Sequence, residues 1–241
     1  MLMSLKRIFY MLFVADQKGG EEKLDNRVLR NYVEENDFPV IKKGYHKYLT
    51  YEGLEDCYTY ILKEGIVKAS VISNDGREFN LRYIQESEIV SILKDEYSQF
   101  IDAPYNIRIE SDSAEFYRIN RVQFWKDIND SPELQHYVKE FYRHRLLYMM
   151  KKMQQMLMNG KIGAVCSQIY ELYDFFGVET EDGIVIDFPV TNEEIAKFCG
   201  ISSASSVSRI LRQLKQENVI KVTKNQLVIT NLSLLEEHII F

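Results

Sequence analysis

Four glycines near the start of the chain, Gly44, Gly53, Gly65 and Gly76, lie 9, 12 and 11 residues apart. The runs between them are rich in Tyr, Ile and Val, which favour β-strands. Short strands separated by turn residues at this spacing are typical of antiparallel sheets. In Asn74-Asp75-Gly76 the glycine supplies the positive φ of a tight hairpin. The spacing predicts a small β-sandwich or barrel with strands at 58–62, 66–72, 78–84, 105–110 and 115–119.

The pattern becomes helical at Ser131-Pro132-Glu133, where Ser131 is a candidate N-cap and Pro132 fits the first helical position. Asn159-Gly160 is a stop signal. One apolar stripe is the predicted dimerisation face: Val138, Tyr142, Leu146, Met149, Met153 and Met156. A second stripe is expected to lie on the β-domain: Leu134, Tyr137, Phe141 and Tyr148. A helix of about 37 Å exceeds what one small sandwich would cover, which favours a dimer helix over burial within one chain.

The segment 191–216 is typical of two helices joined by a tight turn. Thr191 is a candidate N-cap, and Glu194 would complete a capping box. Gly200 ends the first helix. The second helix runs from Ser203 to Gln216. Its predicted inward stripe is Val207, Ile210, Leu211 and Leu214.

The outward face of the second helix has the chemistry of a reader of the DNA major groove. Small serines permit close approach, and an arginine can donate two hydrogen bonds to guanine. The segment 219–229 then reads as strand, turn and strand, and its basic turn is expected to touch phosphate. The candidate DNA-binding residues are Thr191, Ser203, Ser205, Ser206, Ser208, Arg209, Arg212 and Lys224. A serine-capped core helix with a solvated face is the alternative.

The charge distribution restricts how this protein can contact nucleic acid. The chain carries a formal charge of −6 and a pI near 5.4, which argues against coating DNA through bulk positive charge. From Ser203 to Lys224, however, five basic residues face Glu217 alone, a local charge of +4. Any DNA contact is therefore expected to be local.

These residues resemble the Crp/Fnr family of transcription regulators. The residues similar to that family's helix-turn-helix signature are Thr191-x-x-Glu-Ile-Ala, Gly200 and Val207-Ser-Arg-Ile-Leu-x-x-Leu-Lys. The hairpins at 60–68 and 74–78 are similar to that family's sensor barrel. Within the family, Asn159-Gly-Lys-Ile-Gly and Ser205-Ser-Val-Ser-Arg look like the PrfA-like virulence regulators of Firmicutes.

The resemblance implies an α+β fold in three parts. These are an N-terminal antiparallel β-barrel or jelly-roll like a cyclic-nucleotide-binding domain (1–130), a long dimerisation helix (131–159) and a C-terminal winged helix-turn-helix (160–241). It also implies a cytoplasmic homodimer on a palindromic operator, controlling virulence or metabolic genes, with RNA polymerase as a candidate partner. Carried over by position, Ser205, Ser206, Ser208 and Arg209 would face bases, whereas Thr191, Arg212 and Lys224 would contact phosphate.

The effector is less well specified. Cyclic-nucleotide members resemble one another in Gly-Glu and Arg-Ser or Arg-Thr pairs, whereas the matching stretches here are Gln85-Glu-Ser-Glu-Ile89 and Asp102-Ala-Pro104. We therefore expect no cAMP site. The PrfA-like resemblance makes a small peptide such as glutathione a candidate, with Tyr58, Tyr60, Phe79 and Tyr83 either lining its pocket or forming ordinary core. No certain cofactor and no metal are expected, because three scattered cysteines and four histidines lack ligand spacing.

Other classes of function have weaker support. The longest early apolar run, 8–15, is shorter than a membrane helix and lacks a cleavage pattern, so no membrane partner is expected. The odd, widely spaced Cys57, Cys166 and Cys199 indicate a reducing cytoplasm, with redox sensing as a minor alternative. An enzyme with a cupin-like metal site would need clustered histidines, but His46 is alone in 44–119. A β-barrel sensor whose helix-turn-helix does not bind specific DNA remains the alternative function.

Overall fold

The computed structural model describes residues 24–85, 87–91, 95, 98–223 and 226–239, with the backbone alone at Ile101. The early apolar run and Lys224 lie outside these residues. The predicted α+β architecture is confirmed: antiparallel sheets come first, a long helix follows, and a small helix-and-sheet unit ends the chain. Within the described part, no helix is both long and apolar enough to cross a membrane.

The N-terminal strands form antiparallel sheets around an apolar core. The strands are β1 (Val40–Gly44), β2 (Tyr48–Thr50), β3 (Glu55–Asp56), β4 (Tyr58–Glu64), β5 (Val67–Ile72), β6 (Glu78–Ile84), β7 (Ile101–Asp102), β8 (Asn106–Ile109) and β9 (Ser113–Asn120). They pair in the orders β1-β9-β4, β2-β8-β5-β6 and β3-β7. Leu62, Ile107 and Phe116 are fully buried between them.

Two of the predicted turn glycines are required by the backbone. Gly76 has φ +82° in the β5–β6 hairpin, which pairs from Val67 opposite Ile84 to Ile72 opposite Glu78. Gly65 has φ +103° between β4 and β5, and a Cβ there would lie 2.6 Å from the Ser113 carbonyl oxygen. Both positions therefore favour glycine, which tolerates positive φ and close backbone contact.

Two short helices cover one side of the barrel. The first is α1 (Arg27–Glu35). The second, α2 (Arg121–Asp130), is absent from the sequence-based reading, although Asn120 caps it by accepting hydrogen bonds from the amides of Val122 and Gln123. Leu29 of α1 packs with Phe124 of α2 in one buried cluster. The signal for α2 was the cap followed by Phe124 and Ile128, four residues apart.

The long helix α3 (Pro132–Met158) divides into a buried half and an exposed half. Ser131 caps it, as predicted. Leu134, Tyr137 and Phe141 of the second stripe are buried against α1 and α2. Beyond residue 145, the exposed apolar side chains are Leu146, Leu147, Met149, Met150, Met153, Leu157 and Met158.

The predicted dimerisation stripe needs a correction. Val138 is buried in the core of its own chain and is not available to a partner, and Tyr142 is half-buried against the same core. Met156 is half-buried, and its methyl carbon lies 3.1 Å from the point where a Cβ on residue 200 would lie. The buried face of α3 is therefore wider than the sequence predicts, and it includes part of the predicted dimerisation stripe. At 3.6 residues per turn, the exposed face through Met150 and Leu157 is rotated by roughly 60° from the predicted one.

The C-terminal unit is built on α4 (Gly160–Phe176). A four-stranded antiparallel sheet in the order β10-β11-β13-β12 packs with it. The remaining elements are β10 (Gly177–Thr180), β11 (Gly183–Ile186), α5 (Asn192–Phe198), α6 (Ala204–Gln216), β12 (Ile220–Thr223), β13 (Gln226–Ile229) and α7 (Leu232–Glu237). Val165, Val207 and Leu214 are fully buried in the shared core.

Candidate nucleic-acid interface

Helix α5 has a capping residue at its start and a glycine stop at its end. Thr191 accepts a hydrogen bond from the Glu194 amide at 3.1 Å, as predicted for an N-cap. The reciprocal half of the capping box is not formed, because the Glu194 carboxylate reaches the barrel instead. Gly200, at φ +62°, ends α5 and directs the chain into the turn.

Serines begin the second helix with a compact hydroxyl cluster. Ser203 is the N-cap of α6, and its hydroxyl accepts from the Ser206 amide at 3.4 Å. The Ser206 hydroxyl lies 3.0 Å from that of Ser203, and Ser205 donates to Ser203 at 3.2 Å. These side chains are small, and the amides at the start of a helix make its N-terminal end electrically positive.

The two faces of α6 match the prediction from its periodicity. Val207, Ile210, Leu211 and Leu214 are buried. Ser205, Arg209 and Arg212 are exposed, whereas Ser206 and Ser208 are half-buried. Arg209 donates to the Ser206 hydroxyl at 3.3 Å, which holds the guanidinium beside the serine cluster. In the described part of the chain, neither arginine has a carboxylate partner. The helix can therefore offer two guanidinium groups and several hydroxyls to an anionic, hydrogen-bonding surface.

The local positive charge is smaller in three dimensions than along the sequence. The ammonium of Lys221 lies 3.0 Å from the Asp182 carboxylate of the β10–β11 hairpin. Glu217, the acidic residue within the basic segment, lies 3.1 Å from His238. Among the described residues of this face, the cations without a carboxylate partner therefore lie on α6.

The remaining predicted DNA-binding residues flank α6. Thr191 is exposed at the start of α5. The β12–β13 hairpin follows α6 as the predicted wing, but Lys224 at its tip is outside the described residues. The assignment of bases and phosphates to individual side chains stays a prediction.

The stretch expected to differ from a cyclic-nucleotide site contains Glu88, a buried carboxylate that pairs with two arginines. Arg82 lies 2.5 Å from one oxygen of Glu88, and Arg145 of α3 lies 2.8 Å from the other. Burial opposes the charge of Arg82, but the Glu88 carboxylate outweighs it and raises the pKa of Arg82 above its usual value. Burial and the neighbouring Arg82 lower the pKa of Arg145. Both guanidinium groups are thus already paired with a carboxylate of the chain itself.

The predicted aromatic pocket is divided between two places. Tyr58 and Tyr60 line a cavity of about 20 Å³, and Tyr60 donates to Asp56 at 2.8 Å. Tyr83 instead belongs to the C-terminal core, where its ring lies 4.9 Å from that of Phe198. A cavity of that size holds about one water. A glutathione-like peptide at this position would therefore require rearrangement, and its binding stays a prediction.

Comparisons with known proteins agree with this geometry. A family model described as a Crp-like helix-turn-helix domain matches residues 163–238. The lactate racemization regulatory protein of Lactiplantibacillus plantarum is 51% identical over 215 residues, 89% of this chain and 97% of that protein. The listeriolysin regulatory protein of Listeria monocytogenes is 32% identical over 189 residues, 75% of this chain and 76% of that protein.

Solved structures show the same fold at low sequence identity. FixK2 from Bradyrhizobium japonicum superposes with a TM-score of 0.72 at 14% identity, covering 86% of this chain and 99% of that one. A CooA mutant from Carboxydothermus hydrogenoformans has a TM-score of 0.70 at 15% identity, covering 90% and 96%.

Proposed function

Because the chain belongs to the Crp/Fnr family of transcription regulators, we propose that it binds a palindromic operator as a homodimer and controls genes of lactate racemisation. It is a DNA-binding regulator and not an enzyme, in keeping with the regulatory names of its relatives. The observation that carries the proposal is the exposed face of α6. There Arg209 and Arg212 lack a carboxylate partner among the described residues, and serines cap the helix beside them.

The proposed target genes follow from the relative that is 51% identical over almost its full length. This choice makes the regulated genes metabolic rather than virulence genes. The proposal also places the protein in the cytoplasm, with RNA polymerase as a second partner. Glutathione or a similar small peptide remains the proposed effector to test first.

The proposed dimer uses the exposed half of α3. Leu146, Met150, Met153 and Leu157 follow one another at steps of 4, 3 and 4, which places them on one helix face. An exposed apolar stripe of this kind is typical of a helix that pairs with a second helix. In a symmetric dimer the two α3 helices would pack together and present two copies of α6.

A pair of substitutions tests the dimer. We expect Leu146→Glu with Met153→Glu to yield a monomer, because four carboxylates would meet at the interface. Leu54→Glu is the matched control, since Leu54 is also half-exposed but lies on the barrel. Sedimentation velocity measures the mass. A double variant that remains a dimer would place the interface elsewhere.

DNA binding is tested by sequencing genomic fragments that the purified protein retains at about 0.15 M salt, where non-specific binding is weak. We expect a shared palindrome with half-sites about one helical turn apart, found upstream of lactate racemisation genes. The Arg209→Ala variant is processed in parallel as the control for specific binding. No enrichment, with or without glutathione, would contradict the proposal and favour a sensor that does not bind specific DNA.

A further inference from the structure

A partly buried cluster of charged groups, centred on the fully buried Lys68, joins the barrel to the first helix of the helix-turn-helix unit. The barrel contributes two cations and two carboxylates, and α5 contributes one of each. We call this set the ion cluster; its members are Lys68, Glu78, Arg108, Glu110, Glu194 and Lys197. Three positive and three negative charges make it neutral as a unit.

Glu194 is the central contact of the ion cluster. One of its oxygens accepts from the Lys68 ammonium at 2.8 Å and from the Asn80 amide at 2.9 Å. Its other oxygen lies 3.6 Å from Arg108. Lys68 is completely buried. Since a buried charge without its partner is strongly destabilising, Lys68 fixes where the Glu194 carboxylate can lie.

The rest of the ion cluster strengthens this contact. Lys197, one turn further along α5, lies 3.1 Å from Glu78 of β6. Arg108 donates to Glu110 at 2.7 Å, and these charges together raise the pKa of Arg108 despite its burial. Apolar packing continues beside the charges, where Tyr83 of β6 contacts Phe198 at the end of α5. Helix α5 is thus attached to the barrel along its length.

We propose that Glu194 is a positioning residue for DNA binding, which holds the helix-turn-helix unit in one orientation on the barrel through Lys68 and Arg108. This inference rests on the proposed function, because a dimer must place two copies of α6 at a fixed separation. The ion cluster reaches the helix-turn-helix unit through α5, and Ser205, Arg209 and Arg212 of α6 remain exposed in the same arrangement. Attachment therefore leaves the DNA-reading face open and limits its motion, which lowers the entropic cost of binding two half-sites.

Two isosteric substitutions on α5 separate positioning from electrostatics. Glu194→Gln and Glu193→Gln each remove one negative charge from the same helix. Glu193 is 70% exposed, and its carboxylate lies 3.0 Å from Lys197 on the same helix. On electrostatic grounds alone both variants should bind DNA more tightly, because each loses a charge that repels phosphate.

The first measurement is amide hydrogen exchange, which does not require DNA. We expect Glu194→Gln to speed exchange in β6 and α5, and Glu193→Gln to match the wild type there. The second is affinity for the full palindrome and for a single half-site. We expect the full-site affinity of Glu194→Gln to fall by about 5- to 150-fold relative to Glu193→Gln, the usual range of coupling between sites. The half-site affinity should change less.

Lys68→Met extends the test to the barrel side, where a direct DNA contact is excluded by complete burial. It should weaken full-site binding without adding to the effect of Glu194→Gln, since both remove the same contact. Unchanged exchange in Glu194→Gln would overturn the inference. So would full-site binding equal to or tighter than that of Glu193→Gln, because the contact would then be inert or inhibitory. If the wild type shows no palindrome preference, the proposed function fails, and hydrogen exchange still reports on the contact.

Discussion

Helices α5 and α6 belong to one small unit, yet their charged side chains have opposite surroundings. On α5, Glu194 and Lys197 are paired with barrel residues and are largely buried. On α6, Arg209 and Arg212 are exposed and have no carboxylate partner within the described ranges. The difference indicates which charges hold the molecule together and which are available to a second molecule.

The net charge of the protein does not show this difference between paired and unpaired charges. The protein is acidic overall, and its basic segment is partly neutralised by Asp182 beside Lys221. Paired buried ions contribute geometry rather than attraction for DNA, since their fields are cancelled locally. Surface arginines without a carboxylate partner can still donate hydrogen bonds to a second molecule. A DNA-binding surface can therefore exist on an acidic protein when the unpaired cations are gathered on one helix.

The largest effect is expected from removing an unpaired charge. Arg209→Ala should weaken operator binding by roughly 1–3 kcal/mol, a factor of about 5 to 150, and relax base preference at one position in each half-site. Arg77→Ala is the matched control, because Arg77 is exposed on the β5–β6 hairpin and paired with Asp75. Fluorescence anisotropy on a library of operator variants measures both quantities. Equal affinities for the two variants would remove α6 from the recognition role.

Removing a paired charge should act on stability. Burial opposes the charge of Glu78, but Lys68 and Lys197 outweigh it and lower the pKa of this carboxyl. A carboxyl whose pKa is lower in the folded than in the unfolded state stabilises the protein above its ordinary pKa, and loses that contribution as pH falls through the lowered value. Glu110 also faces Lys68, and Glu194 faces both lysines.

We therefore expect Glu78→Gln to lower the free energy of unfolding by about 1–3 kcal/mol at pH 7. This deficit should be similar at pH 5.5 and shrink below the ordinary pKa of 4.5. Urea titrations across that range measure it, with Glu193→Gln as the control for loss of an exposed carboxylate. A deficit that is constant down to pH 3.5 would show that the Glu78 charge contributes nothing.

A smaller effect is expected at Arg212, the second unpaired charge. If Arg212 contacts phosphate, Arg212→Ala should weaken operator and unrelated DNA equally. It should also reduce the slope of log affinity against log salt by about 1. Salt titrations on both DNAs provide the measurement. A loss confined to the operator would instead indicate that Arg212 reads a base.

The sequence predicted those turns, helix faces and helix caps that depend only on residues close together in the chain. Gly65 and Gly76 marked their hairpins because a positive φ is a local backbone requirement. The inward stripe of α6 followed from a helical period that tertiary contacts did not alter. Ser131 and Thr191 were recognised as caps for the same reason: a capping hydroxyl bonds an amide three residues away.

The missed features depend on residues far apart in sequence. Glu194 fits a capping box locally, but Lys68, 126 residues earlier, binds its carboxylate more favourably within a buried interface. The predicted stripe of α3 begins in the buried half of the helix and is rotated from the exposed face, because the sequence does not show how far the neighbouring elements cover Val138 and Met156. Periodicity locates an apolar face, and only packing decides which edge of it remains exposed.

The thiols provide the smallest and most local test of the α5 contact. Burial raises the pKa of Cys199, the residue after α5, to about 12, and that of Cys166 of α4 to about 12. Cys199 also donates to the Ala164 carbonyl at 3.4 Å. Thiolate is the reactive form, so both should resist a thiol reagent at pH 8. Half-buried Cys57 should react first.

In a Cys57→Ser background, we therefore expect little labelling of the native protein and two thiols on unfolding, counted by mass spectrometry. Adding Glu194→Gln should accelerate labelling of Cys199 more than that of Cys166, because Cys199 adjoins the helix that the ion cluster holds. Adding Glu193→Gln should not. Equal acceleration of both thiols would mean that the whole C-terminal unit loosens. The paired charges of α5 would then stabilise that unit generally, rather than position one helix against the barrel.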